Sequence, residues 1–250
     1  MILDKFRLDG KVAIVTGSNT GLGQGICRAY AEAGAKVVGV SRRPSTETAE
    51  MLGENFYNVI ADLSDLKVVP SIIAQAVEKF GRVDILVNNA GIIKRCDSID
   101  FTEEDWDSVL DVNLKTVFFL SQAVARRFLQ QKSGGKIINI ASMLSYQGGI
   151  RVPSYAASKS AVKGITMTLC NEWAKYGINV NAIAPGYMAT NNTEQLRADG
   201  ERSGDILARI PAGRWGQPED LQGAAVFLAS AASDYVNGFT LAVDGGWLAR

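Results

Sequence analysis

Seven short runs of β-forming apolar residues alternate with longer helical stretches along the whole chain. The runs occupy residues 12–15, 36–40, 56–60, 83–87, 136–140, 178–183 and 240–243. The helical stretches occupy residues 22–33, 66–80, 106–131, 154–176 and 218–231. Strands joined by helices of crossover length form parallel sheets covered on both faces. The alternation therefore predicts an α/β fold, with a doubly wound parallel sheet of about seven strands flanked by helices.

The chain length fits one large domain. With 250 residues, 47% of them hydrophobic, the chain can bury both faces of a single sheet. No repeat and no Pro/Gly-rich hinge divides residues 1–250, so we expect a single domain. The least regular stretch begins after the sixth strand. Because ligands of open α/β sheets bind beyond the carboxyl ends of the strands, residues 187–215 are either a substrate lid or an ordinary surface loop.

Charge, histidine and cysteine usage exclude several classes of function. Lys and Arg together number 26, as do Asp and Glu, so no net positive field favours nucleic acid or an anionic membrane as a partner. The N-terminus lacks the basic and apolar regions of a signal peptide, which predicts a cytoplasmic location. Histidine is absent and the three cysteines are far apart, so we expect neither a metal site nor an imidazole base.

A glycine-rich segment, residues 16–23, lies between the first strand and the first helical stretch. Gly17 permits a tight turn, Gly21 lets backbone N–H groups approach a pyrophosphate, and Gly23 allows the helix to pack closely. The dipole of the following helix adds attraction for a phosphate. This placement predicts a Rossmann-type dinucleotide site in the N-terminal half of the domain.

Residues after the second, third and fourth strands are candidate cofactor contacts and indicate which cofactor, NAD or NADP, the site favours. NAD-binding folds usually place an acidic residue at the end of the second strand, whereas this sequence has Ser41, Arg42 and Arg43. A hydroxyl and a guanidinium favour the 2′-phosphate of NADP, unless the arginines are simply solvated. Asp62 could accept a hydrogen bond from an adenine amino group or cap a helix. Residues 88–91 could line the adenosine side or form an Asn/Gly turn.

Four further residues form a candidate proton-transfer site. Tyr155 and Lys159 are four apart on a predicted helix and share a face, where the ammonium is expected to lower the pKa of the phenol toward working pH. Ser142, directly after the fifth strand, could hold the substrate oxygen beside the phenol. Asn113 could position a water that connects Lys159 to solvent, or be a helix-surface amide.

Together with Pro185-Gly186, these segments resemble the motifs of the short-chain dehydrogenase/reductase family over essentially the whole chain. The resemblance implies that the four residues above are a catalytic tetrad. It also implies a homotetramer, to which the apolar C-terminus, residues 244–250, could contribute a subunit contact unless it packs on its own domain. Relatives of this kind generally favour NAD, so NAD and NADP both remain candidates. The implied cofactor contacts are Gly17, Asn19, Gly21, Leu22, Gly23, Ser41, Arg42, Asp62, Leu63, Asn89, Ala90, Gly91, Tyr155, Lys159, Pro185, Gly186 and Thr190.

Within the family, residues 135–155, 179–199, 209–216 and 233–250 resemble dehydrogenases that act on keto and hydroxy sugar acids in uronate (pectin) breakdown. A small-molecule sugar acid would place its reacting oxygen between Ser142 and Tyr155, and its carboxylate would need a cation. Arg151, in a glycine-bearing loop, is the first candidate, and Arg197, on the lid, is the second. Either could instead be a surface arginine paired with an acid.

Two alternative functions remain open. The first is another carbonyl reductase on this scaffold, such as gluconate 5-dehydrogenase or 3-oxoacyl-carrier-protein reductase, of which the latter would want a basic docking patch. The second is a non-catalytic nucleotide sensor. The presence of Ser142, Tyr155 and Lys159 argues against a sensor, because a protein that only binds nucleotide needs no matched acid.

Overall fold

The seven predicted strands form one sheet in the computed structural model, which describes residues 1–250. They are β1 (Val12–Thr16), β2 (Lys36–Ser41), β3 (Phe56–Ile60), β4 (Ile85–Asn88), β5 (Gly135–Ile140), β6 (Ile178–Pro185) and β7 (Thr240–Val243). Their spatial order is β3-β2-β1-β4-β5-β6-β7, and every neighbouring pair is parallel. The winding direction reverses between β1 and β4, which opens a crevice at their carboxyl ends. The predicted fold class is confirmed.

Nine α-helices connect the strands. They are α1 (Gly21–Glu32), α2 (Thr46–Leu52), α3 (Val69–Phe80), α4 (Glu103–Leu110), α5 (Thr116–Gln131), α6 (Pro153–Trp173), α7 (Glu194–Ala198), α8 (Gly200–Arg209) and α9 (Pro218–Ala229). Proline lies in the first turn of α3, α6 and α9, where its missing N–H would have no helical partner in any case. None of the helices combines the length and the apolar character needed to cross a membrane.

Apolar side chains cover both faces of the sheet. In β1, Val12 and Ile14 belong to one buried cluster, which also contains side chains of α3 and α5. Ala13 and Val15 belong to a second cluster, which contains side chains of α1 and α9. Successive side chains of a strand point to opposite faces, so a strand covered on both sides reads as an unbroken apolar run. This double burial fixes the positions of the strand ends on which the site is built.

The structure differs from the sequence prediction in three helical regions. Residues 106–131 were predicted as one helix, but a π-helical segment, Asp111–Lys115, separates α4 from α5. The seven-residue α2 was not predicted, because it is too short to show a helical period. The proposed lid contains α7 and α8, which are polar except for a few apolar contacts and therefore resemble a loop in sequence.

The C-terminal tail packs on its own domain. Trp247 is buried, and its indole N–H donates a hydrogen bond to the Gln147 side chain at 3.1 Å. Its ring lies edge-on to Tyr187, with ring centroids 4.8 Å apart. The interpretation of this tail as an apolar subunit contact is therefore corrected for Trp247, because the intramolecular packing already covers its indole.

Candidate active site

The glycine-rich turn has the backbone geometry expected of it. Gly17 and Gly21 have φ angles of +70° and +56°, which side-chain-bearing residues rarely adopt. A Cβ atom on Gly23 would lie 2.0 Å from the carbonyl oxygen of Gly17. Only glycine therefore allows the turn to fold back onto the start of α1, where the first backbone N–H groups have no partner within the helix and can bind an anion.

The asparagine motif, residues 88–91, joins the ends of β1 and β4. The side-chain amide of Asn89 donates to the Thr16 carbonyl oxygen at 2.8 Å, while the Thr16 hydroxyl accepts from the N–H groups of Asn89 and Ala90. Asn88 is buried and donates to Asn139 on β5 at 2.8 Å. The motif thus braces the crevice wall as well as lining it.

A cavity of about 330 Å³ extends from the glycine turn to the end of β5. Thirteen of the expected cofactor residues line it. They are Gly17, Asn19, Gly21, Leu22, Gly23, Asn89, Ala90, Gly91, Tyr155, Lys159, Pro185, Gly186 and Thr190. A side chain could not be added at Gly186 either, since its Cβ would lie 2.6 Å from the Asp244 Cα. A side-chain-free cradle at a helix N-terminus fits the pyrophosphate of a nicotinamide dinucleotide.

Ser142, Tyr155 and Lys159 line the other end of this cavity. The ammonium of Lys159 lies 5.6 Å from the centre of the Tyr155 ring and donates to the Ile140 carbonyl oxygen at 2.6 Å. The Ser142 hydroxyl accepts from the Leu144 N–H at 3.1 Å, which orients it. The structure therefore brings Ser142, which follows β5, together with Tyr155 and Lys159, which the sequence had already placed on one helix.

Burial has the largest effect on the pKa values of Tyr155 and Lys159. Burial raises the pKa of Tyr155, and the Ser142 hydroxyl and the Arg95 guanidinium partly oppose that rise. Burial lowers the pKa of Lys159 to about 8. The expectation that Lys159 lowers the pKa of Tyr155 is therefore wrong for this structure in net direction, because desolvation of the phenolate outweighs the favourable charges.

Asn113 lies behind the cavity wall, in the π-helical segment. Its side-chain oxygen accepts from the Ile92 N–H at 2.9 Å, and its amide donates to the Ile92 carbonyl at 2.9 Å and to Ser158 at 3.3 Å. A Cβ on Gly91 would be 3.1 Å from this oxygen and 3.8 Å from the Lys159 ammonium. Asn113 thus fixes the loop after β4 beside Lys159, and its amide N–H groups have protein partners.

Ser41, Arg42, Asp62 and Leu63 lie outside the cavity lining. Ser41 is buried and its hydroxyl donates to the Arg43 carbonyl at 2.6 Å, so the expected hydroxyl contact with a 2′-phosphate is corrected. Arg42 is exposed and makes no ion pair. The Asp62 carboxylate accepts from the Ser64 N–H and hydroxyl, which lower its pKa, and it therefore forms a local turn rather than a helix cap.

The structure changes the assignment of cations near the reacting groups. Arg151 has a φ of +62° and forms an ion pair with Asp97 at 3.0 Å, and it lines a neighbouring cavity rather than this one. Arg197 lines neither cavity and donates to the Thr190 carbonyl. Arg95, which the sequence analysis missed, lines this cavity and acts on Tyr155. Its one sequence signal is its position in the loop that follows the asparagine motif.

The lid segment forms part of the cavity wall. Its base is closed by a bridge between Met188 and Gly216, which brings both of its ends to the carboxyl edge of the sheet. Tyr187, Thr193 and Leu196 contribute lining side chains that were not predicted. These three residues follow neither a helical nor a strand period, so the sequence contains no pattern that would mark them as lining residues.

Comparisons with known proteins agree with this geometry. Residues 11–201 match the family model described as short chain dehydrogenase. The chain is 65% identical over 253 residues to 2-dehydro-3-deoxy-D-gluconate 5-dehydrogenase of Dickeya dadantii, with 100% of both chains covered. A solved structure from Agrobacterium tumefaciens, assigned as a 2-deoxy-D-gluconate 3-dehydrogenase with bound NADP, is 56% identical, with 98% and 99% coverage and a TM-score of 0.93. Gluconate 5-dehydrogenase of Burkholderia cenocepacia with NADP and tartrate is 43% identical, with 100% coverage of both chains and a TM-score of 0.94.

Proposed function

Because this chain belongs to the short-chain dehydrogenase family, we propose that it interconverts 2-dehydro-3-deoxy-D-gluconate and 3-deoxy-D-glycero-2,5-hexodiulosonate in the breakdown of pectin-type uronates. It is an NAD(P)-dependent oxidoreductase that acts on a CH–OH group. The observation that carries the proposal is one cavity with the glycine cradle at one end and Ser142, Tyr155 and Lys159 at the other. When bound, the nicotinamide supplies or accepts the hydride.

Tyr155 moves the proton that accompanies hydride transfer. In the oxidative direction its oxygen accepts the proton of the substrate hydroxyl, and in the reductive direction it returns that proton to the carbonyl oxygen. Ser142 holds the same substrate oxygen by a hydrogen bond. Lys159, with a pKa of about 8, can hold or release a proton near neutral pH beside the phenol. Asn113 positions the loop that packs against Lys159.

Arg95 is our candidate for holding the substrate carboxylate in the catalytic cavity. It lies close enough to Tyr155 to favour the phenolate, and its guanidinium donates to the Asn192 carbonyl at 3.1 Å, which leaves further N–H donors for a ligand. Arg151 already has a carboxylate partner in Asp97. An Arg95→Lys variant keeps the charge but loses the forked donors, so KM for the acid should rise while folding is preserved; an unchanged KM would remove Arg95 from this role.

Purified enzyme with NADP or NAD and a panel of sugar acids tests the proposed reaction. With the oxidised cofactors we expect the highest kcat/KM with 2-dehydro-3-deoxy-D-gluconate and a lower value with D-gluconate. With NADPH or NADH, the value for 3-oxoacyl thioesters should fall below that for the 2,5-diketo acid. The product should be identified as the 2,5-diketo acid by mass and NMR, because a 4-keto product would indicate oxidation at another carbon. A higher kcat/KM for D-gluconate would replace the proposed substrate and retain the reaction type.

Arg42 is proposed to contact the 2′-phosphate of NADP. Replacing it with alanine should weaken NADPH binding by roughly tenfold or more, because a hydrogen bond to a charged group contributes about 1.5–3 kcal/mol. NADH has no such phosphate and should be affected little. Titration of both cofactors by fluorescence checks this, with Arg43→Ala as the matched control. An equal loss of affinity for both cofactors would mean that Arg42 is only a solvated surface residue.

We also propose that the enzyme is a homotetramer in the cytoplasm, as the family resemblance implies. Large apolar side chains are partly exposed on neighbouring helices: Trp106 on α4, Phe119 on α5 and Met167 on α6. Exposed apolar side chains of this size favour association with a second copy. Light scattering of the purified protein tests the assembly, and a monomeric mass at micromolar concentration would contradict it.

A further inference from the structure

A second cavity, of about 420 Å³, adjoins the catalytic cavity. The two share lining residues, among them Arg95, Tyr187 and Leu196. The outer cavity is bounded by the loop before α6 on one side and by α8 of the lid segment on the other. A ligand could therefore pass from the outer cavity to Tyr155 along a continuous wall.

The lining of the outer cavity is strongly cationic, although the chain as a whole has no net charge. Four arginines line it, together with one acidic residue, Asp199: they are Arg95, Arg151, Arg202 and Arg209. Asp199 is engaged with the backbone N–H of Arg202 at the start of α8. Neither the Arg202 nor the Arg209 guanidinium has a carboxylate partner within ion-pair distance.

Helical spacing places Arg202 and Arg209 on the side of α8 that borders the outer cavity. Arg202, Ile206 and Arg209 follow an i, i+4, i+7 pattern and share one face of α8. Ile206 is buried in a cluster with Met143 and Trp247, which fixes the orientation of that face. The Arg209 guanidinium lies 4.2 Å from the centre of the Trp247 ring. Both arginines oppose the rise that burial produces in the pKa of Tyr187, which lies between the two cavities.

We propose that Arg202 and Arg209 form a capture subsite for carboxylates in the outer cavity, from which an acidic substrate moves to Arg95 and Tyr155. Unpaired guanidiniums beside a concave, partly apolar wall create a local positive potential, which raises both the local concentration and the association rate of anions. This inference rests on the proposed function, since it assigns a recognition step for an acidic substrate at the same site.

The subsite is tested with NADP, 2-dehydro-3-deoxy-D-gluconate and the C1 amide of that acid. Arg202→Gln/Arg209→Gln should lower kcat/KM for the acid by roughly tenfold at low salt, in line with electrostatic capture. Turnover at saturating acid should stay within about twofold, and the amide should be unaffected. The difference from the parent enzyme should shrink at about 0.5 M salt, where the screening length falls to a few ångströms.

Two further variants keep the test decisive. Arg202→Gln alone leaves the contact between Arg209 and Trp247 intact and should show the same selectivity with a smaller effect. Arg126→Gln/Lys67→Gln removes two exposed cations that line neither cavity, and it should leave kcat/KM for the acid unchanged. The proposal is overturned if acid and amide fall equally, if neither changes, or if this control matches the arginine variant. In each of those cases turnover of the acid by the parent enzyme still decides the proposed function separately.

Discussion

Replacing Tyr155 with phenylalanine should reduce kcat by at least about 100-fold, which is the lower range of what a positioned general acid-base group contributes. The phenyl ring can pack as the native ring does, because the substitution removes a single oxygen atom. Cofactor affinity and the thermal midpoint should therefore stay close to those of the parent. Single-turnover hydride transfer, followed by NADPH absorbance, measures the chemical step directly.

Tyr57→Phe is the matched control for this substitution. Its hydroxyl donates to Gln75 at 3.3 Å, away from the cavity, so the same chemical change should leave kcat unaltered. Retention of more than about a tenth of kcat by Tyr155→Phe would contradict the proton-transfer role. A large fall in stability of that variant would instead show that the hydroxyl has a structural role.

Gly23→Ala should disrupt the dinucleotide cradle. The added Cβ would lie 2.0 Å from the Gly17 oxygen and 2.5 Å from the Asn89 amide nitrogen, so the turn or the helix start must move. Overpacking of this kind typically costs about 1–3 kcal/mol of unfolding free energy. We expect NADPH affinity to fall by at least about tenfold, since a shift costing ~1.4 kcal/mol on binding is sufficient. Denaturant unfolding and NADPH titration measure the two effects.

Gly164→Ala provides a control within a helix. No atom lies within 4 Å of the Cβ that this change would add to α6. It should therefore be neutral or stabilise the protein by about 0.5–1 kcal/mol, as expected for glycine replaced inside a helix. If Gly23→Ala behaves like this control and still binds NADPH normally, the close approach at Gly23 is not required for the cradle.

The amino-acid sequence predicted most of the sheet because the strands are buried on both faces. Residues 56–60 and 240–243 were predicted with the bounds that β3 and β7 have in the structure. The turn that follows β1 was equally predictable, since a positive φ at Gly17 and a Cβ-free contact at Gly23 are backbone requirements. Local chemistry is sufficient for such features. The same holds for Tyr155 and Lys159, which helical spacing alone places on one face.

Long-range packing decided the environment of the site. Burial of the phenol in the folded chain raises the pKa of Tyr155 against the direction expected from Lys159 alone. The partners of an exposed or half-buried arginine likewise depend on distant residues: Arg151 finds Asp97, whereas Arg95 remains in the cavity. The spacing of residues in the sequence does not predict such ion pairs and contacts, because they join residues on separate loops.

The sequence by itself determined the parallel sheet, the glycine cradle and the placement of Tyr155 and Lys159 on one face of a helix. Each of these follows from period, backbone freedom or spacing within one element. Only the tertiary structure decided which cations face the cavities, which hydrogen bonds the Asn113 side chain makes, and where the tail containing Trp247 packs. These features depend on desolvation and on contacts between elements that are far apart in the chain. The free energies of desolvation and of such contacts are set by the residues that surround a side chain in the folded protein, not by its neighbours in sequence.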